Sequence, residues 1–128
     1  MKAGINRRRS VIRKSFTFCA GRISFIAAGE QECTVVGFQR LIDEGGIDIV
    51  PIDLTRTGFT QAIEIAHYTY SRGRKVCNHN FNTDINTAAS LHFLCAIENA
   101  RVLEYRVEPG EISRSLAKDP ALFYVGLR

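Results

Sequence analysis

The chain alternates between short apolar runs and longer segments of helical periodicity, and no other feature limits its fold so tightly. Ile23-Ser24-Phe25-Ile26-Ala27-Ala28 is an apolar run closed by Gly29, the pattern of a buried strand. Thr34 to Glu44 then carries Val35, Phe38, Leu41 and Ile42 at spacings of three and four, which lie on one helix face. Gly45-Gly46 stops that helix. Ile47-Asp48-Ile49-Val50-Pro51-Ile52 predicts a second strand. Gly58 to Arg72 predicts a second helix, with Phe59, Ala62, Ile63, Ala66 and Tyr70 in one stripe and Gly73 at the expected C-cap. Lys75-Val76-Cys77 is a third strand. Asp84 to Ile97 is a third helix with Ile85, Ala88, Ala89, His92 and Cys95 stacked, and Thr83 or Asp84 is placed to cap it. Arg101-Val102-Leu103-Glu104-Tyr105 is a fourth strand, and Pro109 to Arg128 has weak pattern.

Such β-α-β-α-β-α-β alternation dictates an α/β fold, a parallel sheet joined by right-handed crossovers. The strands are short and largely apolar, as strands covered on both faces should be. A complete (β/α)₈ barrel needs about 250 residues, so a chain of 128 residues holds about half of one. No apolar run approaches the ~20 residues of a membrane span. No internal repeat or low-complexity segment interrupts the pattern.

Charge divides the chain differently. Of the 17 basic residues, seven (Lys2, Arg7, Arg8, Arg9, Arg13, Lys14, Arg22) lie in residues 1–25, which hold no acid. All 13 acidic residues therefore lie in the remainder. A basic head on a mildly acidic body is a tail-plus-domain pattern. Its functional readings are nucleic-acid binding or organelle targeting. The plainer reading, a solvated and poorly ordered segment over 1–22, is preferred, because the arginine cluster has no interleaved aromatic residues. Residues 23–128 form the expected domain. The four cysteines (Cys19, Cys33, Cys77, Cys95) form no CxxC pair, and reduced thiols in a cytoplasmic protein are expected.

In a parallel α/β sheet the functional edge is where strands end and loops to helices begin. Each predicted strand places one ionisable residue there: Glu30, Asp53, His79 and Glu104. Singly, each has an ordinary explanation. Glu30 suits a solvated loop, Asp53 a turn or helix N-cap, His79 a loop hydrogen bond, and Glu104 an edge charge. Recurrence at equivalent positions of successive strands favours a shared cleft. His67 and His92 fall inside helices and read as packing or surface residues. No GxGxxG, GxxxxGK[ST] or GxSxG motif occurs.

Longer stretches carry a resemblance. Ala27-Ala28-Gly29-Glu30-Gln31-Glu32, Gly45-Gly46-Ile47-Asp48-Ile49-Val50-Pro51-Ile52-Asp53-Leu54-Thr55-Arg56, Val76-Cys77-Asn78-His79-Asn80-Phe81, Asn86-Thr87-Ala88-Ala89-Ser90-Leu91-His92 and Asn99-Ala100-Arg101-Val102-Leu103-Glu104-Tyr105 follow one another in order. Together they resemble strands five to eight of enolase-superfamily barrels of the mandelate racemase and muconate lactonizing type, with sugar-acid dehydratases the nearest in kind. The resemblance implies a partial, half TIM-type barrel with about four parallel strands and flanking helices. It implies that Glu30 is the last of three carboxylates on Mg²⁺ and that His79 is the general base. It gives Asp53 the role of orienting His79, and Glu104 that of hydrogen-bonding a sugar-acid carboxylate as it becomes an enediolate.

Some positions depart from that pattern. Pro51-Ile52-Asp53 replaces Gln-Pro-Asp, Thr57-Gly58-Phe59 is one glycine short, and Asn78 stands where proline is common. The two other metal carboxylates, the second-strand acid/base residues and the capping domain fall outside this sequence. The expectation is therefore a chain inactive by itself. Alternatives are an enzyme completed by a separate N-terminal chain, a homo-oligomer, or a non-catalytic interaction module acting through the basic head. Neither nucleic acid nor membrane is the expected partner.

Overall fold

The computed structural model describes residues 25–106 and residue 116. The basic head, Cys19, the first two residues of the first predicted strand and most of the tail lie outside the described residues. Three strands, β1 (Ile49–Ile52), β2 (Lys75–Asn78) and β3 (Ala100–Val102), pair in parallel in the spatial order β1-β2-β3. Three helices separate or precede them: α1 (Val35–Gly45), α2 (Leu54–Ser71) and α3 (Asp84–Cys95). Spatial order equals chain order, and α1 packs on α2 and α2 on α3. Strands laid side by side in sequence with their helices on one face are the staves of a (β/α) barrel. A doubly wound sheet would reverse its strand order part-way.

Sequence signals set the helix limits. Thr34 caps α1, its hydroxyl accepting a hydrogen bond from the Gly37 amide, and Gly46 ends the helix in the left-handed conformation at φ 67°. Thr83 caps α3 in the same way through the Asn86 amide. In α2 the glycine predicted to start the helix is an internal break: Gly58, at φ 64° and ψ 172°, separates a short turn over 54–57 from the main helix. A side chain there would be strained, although open space surrounds the position.

The core lies between sheet and helices. Val50, Ile52 and Val76 from the strands meet Phe38 and Ile42 of α1, Ala62, Ile65 and Ala66 of α2, and Phe93 and Leu94 of α3. Burying each large side chain in this layer contributes about 1.5–3 kcal/mol. Two predicted stripes are rotated in the structure. Phe59 and Tyr70 of α2 are exposed, while Ile65 and Thr69 are buried. In α3, Ile85, His92 and Cys95 point outward, and Asn86, Thr87, Ser90, Phe93 and Leu94 point inward. Alanine and leucine on several sides leave that helix without one dominant apolar face. Two hydrogen bonds, Asn86 donating to Asn80 and Asn80 donating to the Thr87 hydroxyl, then decide which side turns in.

The first predicted strand is reduced to a single bridge, Ala27 with Ile49. The Ile26 carbonyl accepts from the Asp48 and Ile49 amides, and the Ile26 amide donates to Asp48 Oδ2. The fourth predicted strand stops at Val102, after a register shift between the Val76 and Cys77 pairings. The Arg101 guanidinium of β3 lies 4.4 Å from the ring centroid of Phe25, two residues before the Ala27 bridge.

Asn99 is the main polar tie across this framework. Its amide nitrogen donates to the Ala66 and Arg74 carbonyls, each at 3.2 Å, and the residue is buried. Asn99→Ala leaves two carbonyls without that donor and is expected to cost about 1–3 kcal/mol in urea unfolding. A loss below a few tenths would show that the tie does not support the fold.

Candidate active site at the strand ends

The parallel register aligns the functional edge. Ile52 is the partner of Asn78, and the His79 amide donates to the Ile52 carbonyl at 2.9 Å. Asp53 and His79 are therefore the next residues on adjacent strands. Cys77 is the partner of Val102, so the residues two positions on, His79 and Glu104, are also neighbours. Side chains alternate along a strand. Val50, Ile52 and Val76 pack toward the helices, which turns Asp53, Cys77 and His79 to the other, concave face.

His79 and Glu104 meet directly. The imidazole Nδ1 lies 3.2 Å from Glu104 Oε2, with both side chains partly open to solvent. Phe81 stacks beside the imidazole at 5.8 Å between centroids and an interplanar angle of 29°. This pairing differs from the one implied by resemblance, in which Asp53 orients His79. Asp53 is buried, and its Oδ1 accepts from the Thr55 amide at 2.9 Å and the Thr55 hydroxyl at 2.7 Å. Its Oδ2 faces Arg56 Nε at 3.6 Å. The cause is local: a carboxylate immediately before a helix finds orphan amides within its own turn. Asp53 is the cap of α2, and Glu104 is the carboxylate at the imidazole.

Glu30 stands on the neighbouring stave, half-buried, its Oε2 accepting from the Gly29 amide at 3.1 Å. Gly29 makes the turn at φ 123°, and a Cβ there would come within 2.7 Å of Leu41 Cδ2. Glu32 serves the helix instead. Its Oε1 accepts from the Cys33 amide, the Thr34 amide and the Thr34 hydroxyl. Burial pulls the Glu32 pKa upward as the largest single influence, but these donors together hold it below the ordinary value.

The sequence reading missed the asparagines around His79. Asn78, wholly buried, donates to the Glu104 carbonyl at 3.0 Å and accepts from the Glu104 amide at 2.7 Å. Asn80, also buried, donates to the Thr87 hydroxyl at 2.6 Å and accepts from Asn86. Asn82 donates to the Thr55 hydroxyl, joining the Asp53 cap to the loop after β2. The signal was present as asparagine at alternate positions, Asn78-His79-Asn80-Phe81-Asn82. Period two at a strand end presents the asparagines away from the side that carries His79 and Phe81.

The expected Mg²⁺ can be tested against these side chains. Mg²⁺ requires near-octahedral oxygen ligands. Among the described residues no group of three or more His, Cys, Asp or Glu is placed to hold a metal. Glu30 alone does not fit the ion.

The model of the enolase C-terminal domain-like family matches residues 20–126. This chain belongs to that family. The enolase-type domain also superposes on solved barrels. One is an enolase from Agrobacterium radiobacter, provisionally named a galactarate dehydratase and solved with sodium and L-malate; identity is 29% over 75% of this chain and 25% of that one, with TM-score 0.68. A provisionally named dehydratase from Salmonella enterica serovar Typhimurium is 26% identical over 76% of this chain and 24% of that one, with TM-score 0.68. A mandelate racemase/muconate lactonizing enzyme homologue from Labrenzia alexandrii, 20% identical over 88% and 30% of the two chains with TM-score 0.76, shares the fold. The domain thus spans 24–30% of the length of these solved relatives. No curated protein matches it. No helix among the described residues is long and apolar enough to cross a membrane.

Cys33, Cys77 and Cys95 are free thiols, with Cys77 buried and the other two exposed. Burial, and secondarily the Glu104 charge, push the Cys77 thiol from 9.0 up to about 11. At pH 8 a maleimide or disulfide reagent is expected to label Cys33 and Cys95 quickly and Cys77 at least tenfold more slowly. A thiol that holds its proton more tightly when folded supports stability fully below pH 9 and loses that support as pH rises toward about 11. Cys77→Ser removes this alkaline decline. Equal labelling of all three thiols at pH 8 would contradict the assigned environment.

Proposed function

We propose that this domain supplies the base-bearing half of an active site that dehydrates sugar acids, with His79 as the general base and Glu104 as its partner. The single observation that carries the reading is the His79–Glu104 pair at 3.2 Å on the concave rim of a partial barrel. The galactarate dehydratase name of the relative at 29% identity supports the substrate class, and the dehydratase name of the relative at 26% supports the reaction type.

A proton on the carbon beside a carboxylate is weakly acidic, and its removal needs a positioned base with a pKa near the working pH. Imidazole is the side chain that supplies one. With Nδ1 occupied by Glu104, Nε2 is the nitrogen left to take the proton. The imidazolium then formed lies beside the Glu104 carboxylate, 3.2 Å from Nδ1. The enediolate expels the β-hydroxyl, which takes up the proton held on Nε2 and leaves as water, returning the imidazole to its neutral form, and ketonisation of the resulting enol gives a 2-keto-3-deoxy acid. Phe81, stacked on the ring, restricts water on one side.

The family's cation would stabilise the enediolate. Its remaining carboxylates must come from sequence beyond these residues or from a complementing chain, because Glu30 is one ligand. We therefore expect the 128-residue chain alone to show no micromolar Mg²⁺ isotherm by calorimetry; such an isotherm would contradict this division of the site. A second copy pairing along the strand edges is the oligomer this reading allows, and a cytoplasmic setting suits it.

The catalytic test uses the protein purified from its native source with every polypeptide that copurifies. Aldonic and aldaric acids are incubated in D₂O, and α-proton exchange is followed by NMR. Exchange is expected with at least one acid and is expected to fall 10²–10⁴-fold in His79→Asn, the range for loss of a general base. Undiminished exchange in that variant, or none with any acid, overturns the proposal.

A further inference from the structure

The carboxylate beside His79 lies past the end of its strand. The β2–β3 ladder ends with Cys77 and Val102, so the backbone of Glu104, two residues on, has left the regular pairing. Asn78 takes over there. Its carboxamide donates to the Glu104 carbonyl at 3.0 Å and accepts from the Glu104 amide at 2.7 Å. One side chain thus holds both backbone groups of a single residue, as a partner strand would. Asn78 is wholly buried, so water cannot replace these bonds without opening the site. Neighbouring residues of a strand point to opposite faces, so Asn78 fixes Glu104 from behind while Glu104 reaches His79 on the concave side.

We propose that Asn78 is a positioning residue whose clamp on the Glu104 backbone keeps the Glu104 carboxylate at His79 Nδ1, so that the neutral imidazole carries its proton on Nδ1 and leaves Nε2 bare. The hydrogen bond made by one ring nitrogen decides which nitrogen is free. A carboxylate accepts and never donates, so Glu104 can bind only the tautomer protonated at Nδ1. Asparagine is suited to the clamp because one carboxamide holds a donor and an acceptor side by side. The inference rests on the reading of His79 as the base.

The test is made on the full chain without substrate, so it is decided independently of turnover. Long-range nitrogen–proton correlation spectra of the ¹⁵N-labelled protein report the tautomer of each histidine. In the native chain neutral His79 is expected mainly as the Nδ1–H form. Asn78→Asp keeps an acceptor for the Glu104 amide but loses the donor to its carbonyl; Asn78→Ala loses both. In both variants, and in Glu104→Ala, the proton is expected to move mainly to Nε2, while His67 and His92, which lie on the helices, keep their native spectra. A native Nε2–H tautomer would overturn the proposal even if no variant folds. So would an Nδ1–H tautomer that persists in folded Asn78→Asp or Asn78→Ala, or a change shared equally by all three histidines.

Discussion

Parallel pairing in a common register is the constraint on which everything else in this molecule depends. Each backbone bond between β1 and β2 fixes which residues lie side by side, and the last rung sets Asp53 and His79 next to each other. One slipped rung would exchange the concave face for the helix face and turn the imidazole into the core. The apolar layer of Val50, Ile52 and Val76 against Phe38, Ile65 and Phe93 resists that slip. It would otherwise have to accept a carboxylate and an imidazole without partners. The chemistry at the rim is thus guarded by packing one layer below it.

Above that layer the structure changes its means of support. Apolar packing gives way to a belt of asparagine and threonine: Asn78 on the Glu104 backbone, Asn80 on Thr87 and Asn86, Asn82 on Thr55. These bonds link the ends of β1, β2 and β3 to each other and to the start of α3. Polar side chains suit this place because strand ends and helix starts leave backbone groups unpaired. A directional network also holds an imidazole to one orientation more narrowly than an apolar surface could.

The two aspartate and glutamate candidates beside His79 illustrate how local and long-range demands compete. Asp53 lies beside His79 in register, yet Thr55 offers it two donors within two residues, and the cap wins. Glu104 arrives from a strand 25 residues further on, and among the described residues it caps no helix. The carboxylate without a local task is the one left for the imidazole. Glu30 and Glu32 divide in the same manner, with Glu32 bound into the start of α1 and Glu30 accepting from the neighbouring Gly29 amide.

The sequence by itself determined the element order, the parallel α/β class, the cap of the third helix at Thr83 or Asp84, and the rim position of Asp53, His79 and Glu104. These follow from short-range periodicity and from one residue's reach along its own strand or turn. Tertiary structure decided which faces of α2 and α3 turn inward, where the first and fourth strands stop, and which carboxylate meets His79. Those outcomes depend on bonds between residues far apart in the chain, such as Asn78 with Glu104 and Asn99 with Ala66. Periodicity within one segment carries no information about a partner in another, so the asparagine belt read as an ordinary polar loop until the strands were laid side by side.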